Sequence, residues 1–266
     1  MQRSQNFVRI ALGVEYDGSR FHGWQTQADV PTVQEALEAA LSKVADHPLT
    51  VHCAGRTDAG VHGYGQVVHF DTRAYREPRA WVLGGNMHAP PGLSVQWAQA
   101  MPEHFHARFS ARRRRYRYVI LNRSVRPAVL HRRVSFERKR LDAEAMHRAG
   151  QCLLGEQDFS AFRAAACQSE RPVRTLHRLE VTRNGDFIAL DVEANAFLHH
   201  MVRNIAGTLI AVGRGERPAS WVAEVLESAD RRRAGPTAPP DGLYFMGVGY
   251  PEEFSVPEND APVLFV

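Results

Sequence analysis

The chain has 266 residues, 44% of them hydrophobic and 23% charged, which suits one large globular domain or two smaller ones and excludes a disordered or fibrous protein. No apolar run reaches the roughly 18 residues that span a bilayer, and Met1 to Leu12 has neither a long apolar stretch nor a small-residue cleavage site, so a protein made and kept in the cytoplasm is expected. Lys plus Arg outnumber Asp plus Glu by 33 to 29, a formal +4 that is nearly all arginine and fits a polyanionic partner or a plain base-composition bias equally.

Val8, Ile10, Leu12, Val14 and Tyr16 alternate with more polar neighbours, the two-residue period of a strand with one buried face, here residues 7–16. Asp17-Gly18-Ser19 marks a turn. Thr32 and Glu35 form a T-x-x-E capping box, which opens a helix whose buried stripe is Val33, Leu37, Ala40, Leu41 and Val44. Residues 49–54 and 66–71 read as strands, and the glycine-bearing, polar segment between them, residues 55–65, as an exposed functional loop. A helix over residues 78–86 and strands over 94–100 and 114–122 follow.

Leu141 to Leu154 has helical spacing, with Met146, Ala149, Cys152 and Leu153 on one side. Leu179 and Val181, then Asn184-Gly185, then Ile188, Leu190 and Val192 spell an antiparallel hairpin with a two-residue turn. Phe197, Met201, Ile205, Leu209 and Val212 recur at helical spacing, Pro218 is placed to open a helix through Ser228, and Leu243 to Tyr250 is a last strand. Residues 231–242 are a Pro- and Gly-rich surface loop or flap, and the tail after Pro251 is too Pro-rich for regular structure. Cys53, Cys152 and Cys167 are too scattered for disulfides or a zinc pair and read as buried thiols.

Three segments carry candidate chemistry. Gly55-Arg56-Thr57-Asp58-Ala59-Gly60-Val61-His62 sets an acid, a base and a hydroxyl between glycines that let a ligand approach the backbone; alone, it fits equally a turn in which Asp58 bonds local amides. In the strand near residue 116, Arg114, Tyr116 and Tyr118 share one face and Arg113, Arg115 and Arg117 the other. That interleaving suits RNA, whose flipped bases stack on rings while arginine contacts phosphate, and it also fits a solvated edge strand. On the helix near residue 203, Arg203 lies beside the apolar stripe with His199 one turn earlier. Adjacent His199 and His200 on a helix point about 100° apart, and no carboxylate or thiol completes a set, so no metal site is expected.

The full G-R-T-D-A-G-V-H run resembles the catalytic signature of the tRNA pseudouridine synthase A family. Tyr16 to Gln25 (YDGSRFHGWQ) with Thr32-Val33-Gln34-Glu35, Phe105 to Ala111 (FHARFSA), Arg114 to Tyr118 (RRYRY) and Asn195 to Asn204 (NAFLHHMVRN) resemble further family segments in the family's order. The resemblance implies an α+β fold, a largely antiparallel mixed sheet flanked by helices. It further implies two similar halves, residues 1–110 with the Asp loop and 111–266 with the Tyr strand and Arg helix, and a basic cleft between them where Asp58, Tyr116 and Arg203 converge.

The resemblance also implies the chemistry, the isomerisation of uridine to pseudouridine in the anticodon stem-loop of tRNA, with the target base flipped out. Asp58 is then the nucleophilic or charge-stabilising carboxylate. Arg203 is its ion-pair partner, and Tyr116 stacks on the uracil and is a candidate relay for the C5 proton. Arg56 and His62 are expected to help with phosphate or base flipping, Arg114 and Tyr118 to line the substrate site, and Arg20 to shape the RNA groove or a dimer contact. The implied partners are tRNA and a second copy of the chain. Neither metal nor redox cofactor is required. Two rivals stand beside this reading: an RNA-binding module without catalysis, and a glycosidic-bond hydrolase that releases the base. The arginine clusters at 132–133, 138–140 and 231–233 read as solvated charge.

Overall fold

The computed structural model describes residues 7–257. The expectations for the first six residues and for the end of the Pro-rich tail lie outside them. Residues 7–112 with 245–257 form one compact unit, and Arg113–Tyr244 form a second. Each is a mixed α+β assembly with a largely antiparallel sheet, as the fold class anticipated.

In the first unit the elements run β1 (Val8–Tyr16), α1 (Val33–Ala45), β2 (His52–Cys53), β3 (His62–Thr72), α2 (Pro78–His88) and β4 (Leu93–Met101). The strands are ordered β4-β1-β3, all antiparallel, with β2 attached to β3. Ile10, Leu12, Val14 and Tyr16 of β1 join Val33, Leu37 and Leu41 of α1 in one core with Phe70 and Trp81. The Thr32 hydroxyl accepts from the Glu35 amide, which caps α1 as the T-x-x-E pattern requires. Residues 49–54 do not form one strand. The Leu49 and Val51 amides donate instead to the Ser42 hydroxyl and the Glu38 carboxylate on α1, at 3.0 and 2.9 Å, leaving only two residues for the ladder. By contrast, β3 starts at His62, so most of the supposedly exposed loop belongs to a strand or is buried.

The second unit contains β5 (Arg113–Asn122), β6 (Ser135–Glu137), α3 (Ala143–Gly150), β7 (Gly155–Asp158), β8 (Val173–Asn184), β9 (Phe187–Ala194), α4 (Met201–Gly213) and α5 (Trp221–Ser228). Its antiparallel order is β5-β9-β8-β7, with β6 parallel to β5. The last strand, β10 (Leu243–Gly249), contains the boundary between the units. In the β8–β9 hairpin Asn184 pairs with Phe187, so the two-residue loop is Gly185-Asp186, one position later than expected. Gly185 has φ +55°, the positive value that the first loop residue of a II′ turn needs.

The helix expected over 141–154 is shorter. Asp142 caps it by accepting from the Ala145 amide at 2.9 Å, and after Gly150, which packs against Leu179, the chain tightens into a 3-10 turn. On α4 every residue except Arg203 is buried, so the helix is a central core element and not an amphipathic surface helix. It starts at Met201, because His200 adopts a left-handed conformation, φ 61°, and accepts from the Asn204 amide. Phe197 and His199 therefore lie ahead of the helix and not on its stripe. Cys152 is exposed, against expectation, while Cys53 and Cys167 are half-buried. Among the described residues, no helix is long and apolar enough to cross a membrane.

Candidate active site

Asp58 begins a four-residue turn in which the Val61 amide donates to the Asp58 carbonyl at 3.1 Å and Gly60 takes φ +81°. That is the type II turn, whose third position favours glycine, which accounts for the glycine two places after the acid. Asp58 is half-buried and Ala59 beside it is exposed, while Thr57, Gly60 and Val61 are buried, so the acid lies at the accessible edge of a loop whose base is enclosed.

The loop is gripped from several directions by residues of its own unit. The Tyr16 and Thr57 hydroxyls are 2.8 Å apart, and the Gln66 side-chain amide donates to the Gly55 carbonyl at 2.7 Å. Burial pushes the Tyr16 phenol well above its ordinary pKa, so it stays a neutral hydrogen-bonding group. The Trp24 amide donates to the Thr57 carbonyl at 3.0 Å. Gly18 and Gly23 lie so close that a methyl group would meet Val61 O at 1.9 Å and Thr57 O at 2.9 Å respectively. The amino-terminal YDGSRFHGWQ segment is thus the backing of the Asp58 loop.

His62, expected near phosphate or base, is buried; its Nδ1 accepts from the Gly18 amide at 3.1 Å, tying the first turn of the chain to β3. Arg20 is largely exposed and stands 3.4 Å from the Asp17 carboxylate. Arg56 is exposed. The Cys53 thiol nearby is pushed up to about 12, chiefly by burial and against the pull of Arg56, so it is not a nucleophile.

In the second unit, β5 carries Arg114, Tyr116 and Tyr118 as anticipated. The Tyr116 ring meets Phe197 edge-on at 5.0 Å and 83°, and Arg114 donates to the Asn195 carbonyl at 2.7 Å, so the NAFLHHMVRN segment fixes the tyrosine strand. Tyr118 is fully buried and donates to the Pro239 carbonyl at 2.9 Å; it has no surface to offer a substrate and instead anchors the 231–242 loop. The opposite face of β5 is an ion-pair array. Arg117 grips Asp191 with two bonds of 2.6 and 2.7 Å, Arg113 stands 3.5 Å from Glu193, and Arg178 pairs with Glu180 on β8. Arg117 is therefore committed to a protein carboxylate, and the expectation that it meets phosphate or solvent gives way to a structural role.

Arg203 is locked in both directions to the same loop: its Nε donates to the Ala238 carbonyl at 2.8 Å and its carbonyl accepts from the Ala238 amide at 3.1 Å. Arg231, read from sequence as solvated, is drawn inward. It donates to Gly235 O, Thr237 Oγ1 and Asn204 Oδ1 at 2.9 to 3.0 Å, and buried Asn204 also holds the Phe162 carbonyl. A methyl on Gly207 would collide with the Pro236 carbonyl. The Pro-rich loop is thus a strap fixed to α4, and not a loose flap. Sequence reading missed Asn204, Arg231, Tyr16 and Gln66 as the supports of the candidate residues; the NAFLHHMVRN and YDGSRFHGWQ segments were the signal that contained two of them.

Residues 13–110 and 149–251 match the family described as tRNA pseudouridine synthase. The tRNA pseudouridine synthase A of Vibrio vulnificus (strain YJ016) is 56% identical over 259 residues, 97% of this chain and 98% of that protein. Its counterpart in Aeromonas salmonicida (strain A449) is 57% identical over 251 residues, 94% of this chain and 93% of that one. That of Escherichia fergusonii is 54% identical over 265 residues, 100% of this chain and 98% of that one.

Proposed function

The chain belongs to the tRNA pseudouridine synthase A family, and on that footing we propose that it isomerises uridine to pseudouridine in the anticodon stem-loop of tRNA, with Asp58 as the nucleophile toward a base turned out of its stack. The reaction breaks the bond from ribose C1′ to uracil N1, forms one from C1′ to C5, and moves a proton from C5 to N1. Atoms balance without a co-reactant. The carboxylate of Asp58 either adds to the sugar or stabilises the positive charge that develops on it. The observation that carries this reading is the type II turn that leaves Asp58 partly accessible above the buried Thr57, Gly60 and Val61.

Arg203 is assigned to pair with Asp58 and orient its carboxylate, since a guanidinium offers a carboxylate a planar pair of donors. Its anchorage on Ala238 supports that assignment, because a pinned guanidinium loses little freedom on pairing. Tyr116 is assigned to stack on the uracil and relay the C5 proton. Arg56, Arg114 and Arg20 are assigned to the RNA. The burial of His62 and Tyr118 supports positioning roles for them, behind the Asp58 loop and the tyrosine strand. Extruding a base costs a few kcal/mol and is cheapest where stacking is weak, which favours a loop and its adjoining stem as the target. A homodimer working in the cytoplasm, where tRNA is processed, completes the proposal.

Incubation of the protein, without additives, with unmodified tRNA tests it. The expected result is pseudouridine, mapped by chemical labelling, at unchanged RNA mass. Loss of a base, with a matching fall in mass, would instead establish a glycosidic hydrolase.

A further inference from the structure

At the far end of β5, an open depression of about 650 Å³ is lined by Arg123, Ser124, Arg138 and Arg140, with Asp186 of the hairpin loop as its one acid. Arg123 is oriented by donation of its Nε to the Val125 carbonyl at 2.9 Å. Arg138 and Arg140 are exposed and have no hydrogen-bond or ion-pair partner among the described residues. Arg183, bonded to the lining residue Asn122, sets a further guanidinium behind the lining. It is held by three neutral oxygens, Asn122 Oδ1 at 2.7 Å, Leu141 O at 2.8 Å and Gly185 O at 3.2 Å, and by no carboxylate. Burial, and after it the charge of Arg140, lower its pKa against the opposing pull of Asp186 and Asp142. Asp142 is itself engaged as the cap of α3. Three guanidiniums thus line the depression against the single carboxylate of Asp186, in contrast to the ion pairs on the Arg117 face of β5.

We infer that this depression is a phosphate-binding subsite for the tRNA backbone, remote from the reacting nucleotide. Planar guanidiniums match phosphate oxygens bidentately, and unpaired ones lose no protein partner on binding. The pocket follows Tyr116 by six residues along β5, roughly 20 Å at about 3.3 Å per residue. That span exceeds what one stacked nucleotide covers, so the phosphates it takes belong to nucleotides several positions from the target. The inference rests on the tRNA reading above and extends it: the pocket grips tRNA backbone beyond the flipped nucleotide.

The test compares wild type with Arg138→Ala/Arg140→Ala on intact unmodified tRNA, with direct tRNA binding followed against salt. Both side chains are exposed, so the fold is expected to persist; a thermal melt checks this. On intact tRNA, KM rises about tenfold, the effect of a lost charge-assisted contact, while kcat is unchanged. The salt slope of binding becomes shallower by about two units, near 0.9 for each phosphate released. Arg138→Lys/Arg140→Lys recovers most of the affinity. Unaltered KM and salt slope on intact tRNA would overturn the inference. Wild-type protein that forms no pseudouridine would bring down the functional reading instead, and the binding measurements would then decide the pocket alone.

Discussion

Gly23→Ala perturbs the Asp58 loop without touching a reacting group. The added methyl would lie 2.9 Å from Thr57 O, 3.1 Å from Ala59 N and 3.2 Å from Asp58 C, all backbone atoms of the loop. No flexible side-chain end is available to move aside, so the loop itself must shift. Gly23 also has φ +91°, which alone costs a substituted residue about 1–3 kcal/mol. The overpacking adds about 1–3 kcal/mol. Gly185→Ala supplies the control, because Gly185 has φ +55° but nothing within 4 Å of the new methyl, so only the backbone part applies. The excess loss of Gly23→Ala over Gly185→Ala in urea unfolding is therefore expected at about 1–3 kcal/mol. Displacement of Asp58 by even about 1 Å lowers kcat on the order of a hundredfold, with tRNA affinity within a few-fold of wild type. Equal stabilities for the two variants, together with an unchanged kcat, would refute the buttressing argument.

Arg117→Ala leaves Asp191 without its two-bond partner in a pair that is about four-fifths buried, 16% and 19% exposed; a stability loss of about 1–3 kcal/mol is expected, with the salt slope of tRNA binding unchanged. A shallower slope would return Arg117 to phosphate. His69 packs against His52 and His106, and its pKa is lowered to about 3, foremost by burial and then by the charge of His106. Because the folded protein resists a proton that the unfolded chain accepts near the ordinary value of 6.5, the contribution of His69 is complete above that pH and fades as the pH falls toward 3. His69→Gln is expected to flatten the stability profile within that window; an unchanged profile would show that other groups set it.

The parts of the fold that local chemistry dictates were legible. The capping box of Thr32 and Glu35, the alternation in β1 and the existence of the β8–β9 hairpin, though not its exact turn, each follow from residues a few positions apart. What failed depends on distant partners. Leu49 and Val51 looked like strand residues, but Ser42 and Glu38 took their amides. Arg231 looked solvated because the oxygens that hold it, on Asn204 and Thr237, leave no mark on its own neighbourhood in sequence. Phe197 had helical spacing, yet the left-handed His200 starts α4 later and frees the ring to face Tyr116. For the candidate site, the motif around Asp58 identified the acid. Its cradle of Tyr16, Gly18, Gly23 and Gln66 emerged only when the chain was folded, because steric contact across tens of residues has no periodicity to read.

Asp58→Asn tests the central claim most directly, since it removes the charge and nucleophilicity of the side chain while preserving its shape. With intact tRNA as ligand and substrate, the variant is expected to bind within a few-fold of the wild-type Kd and to form no pseudouridine on chemical labelling. Substantial turnover by the purified variant would contradict the assignment of the chemistry to this carboxylate.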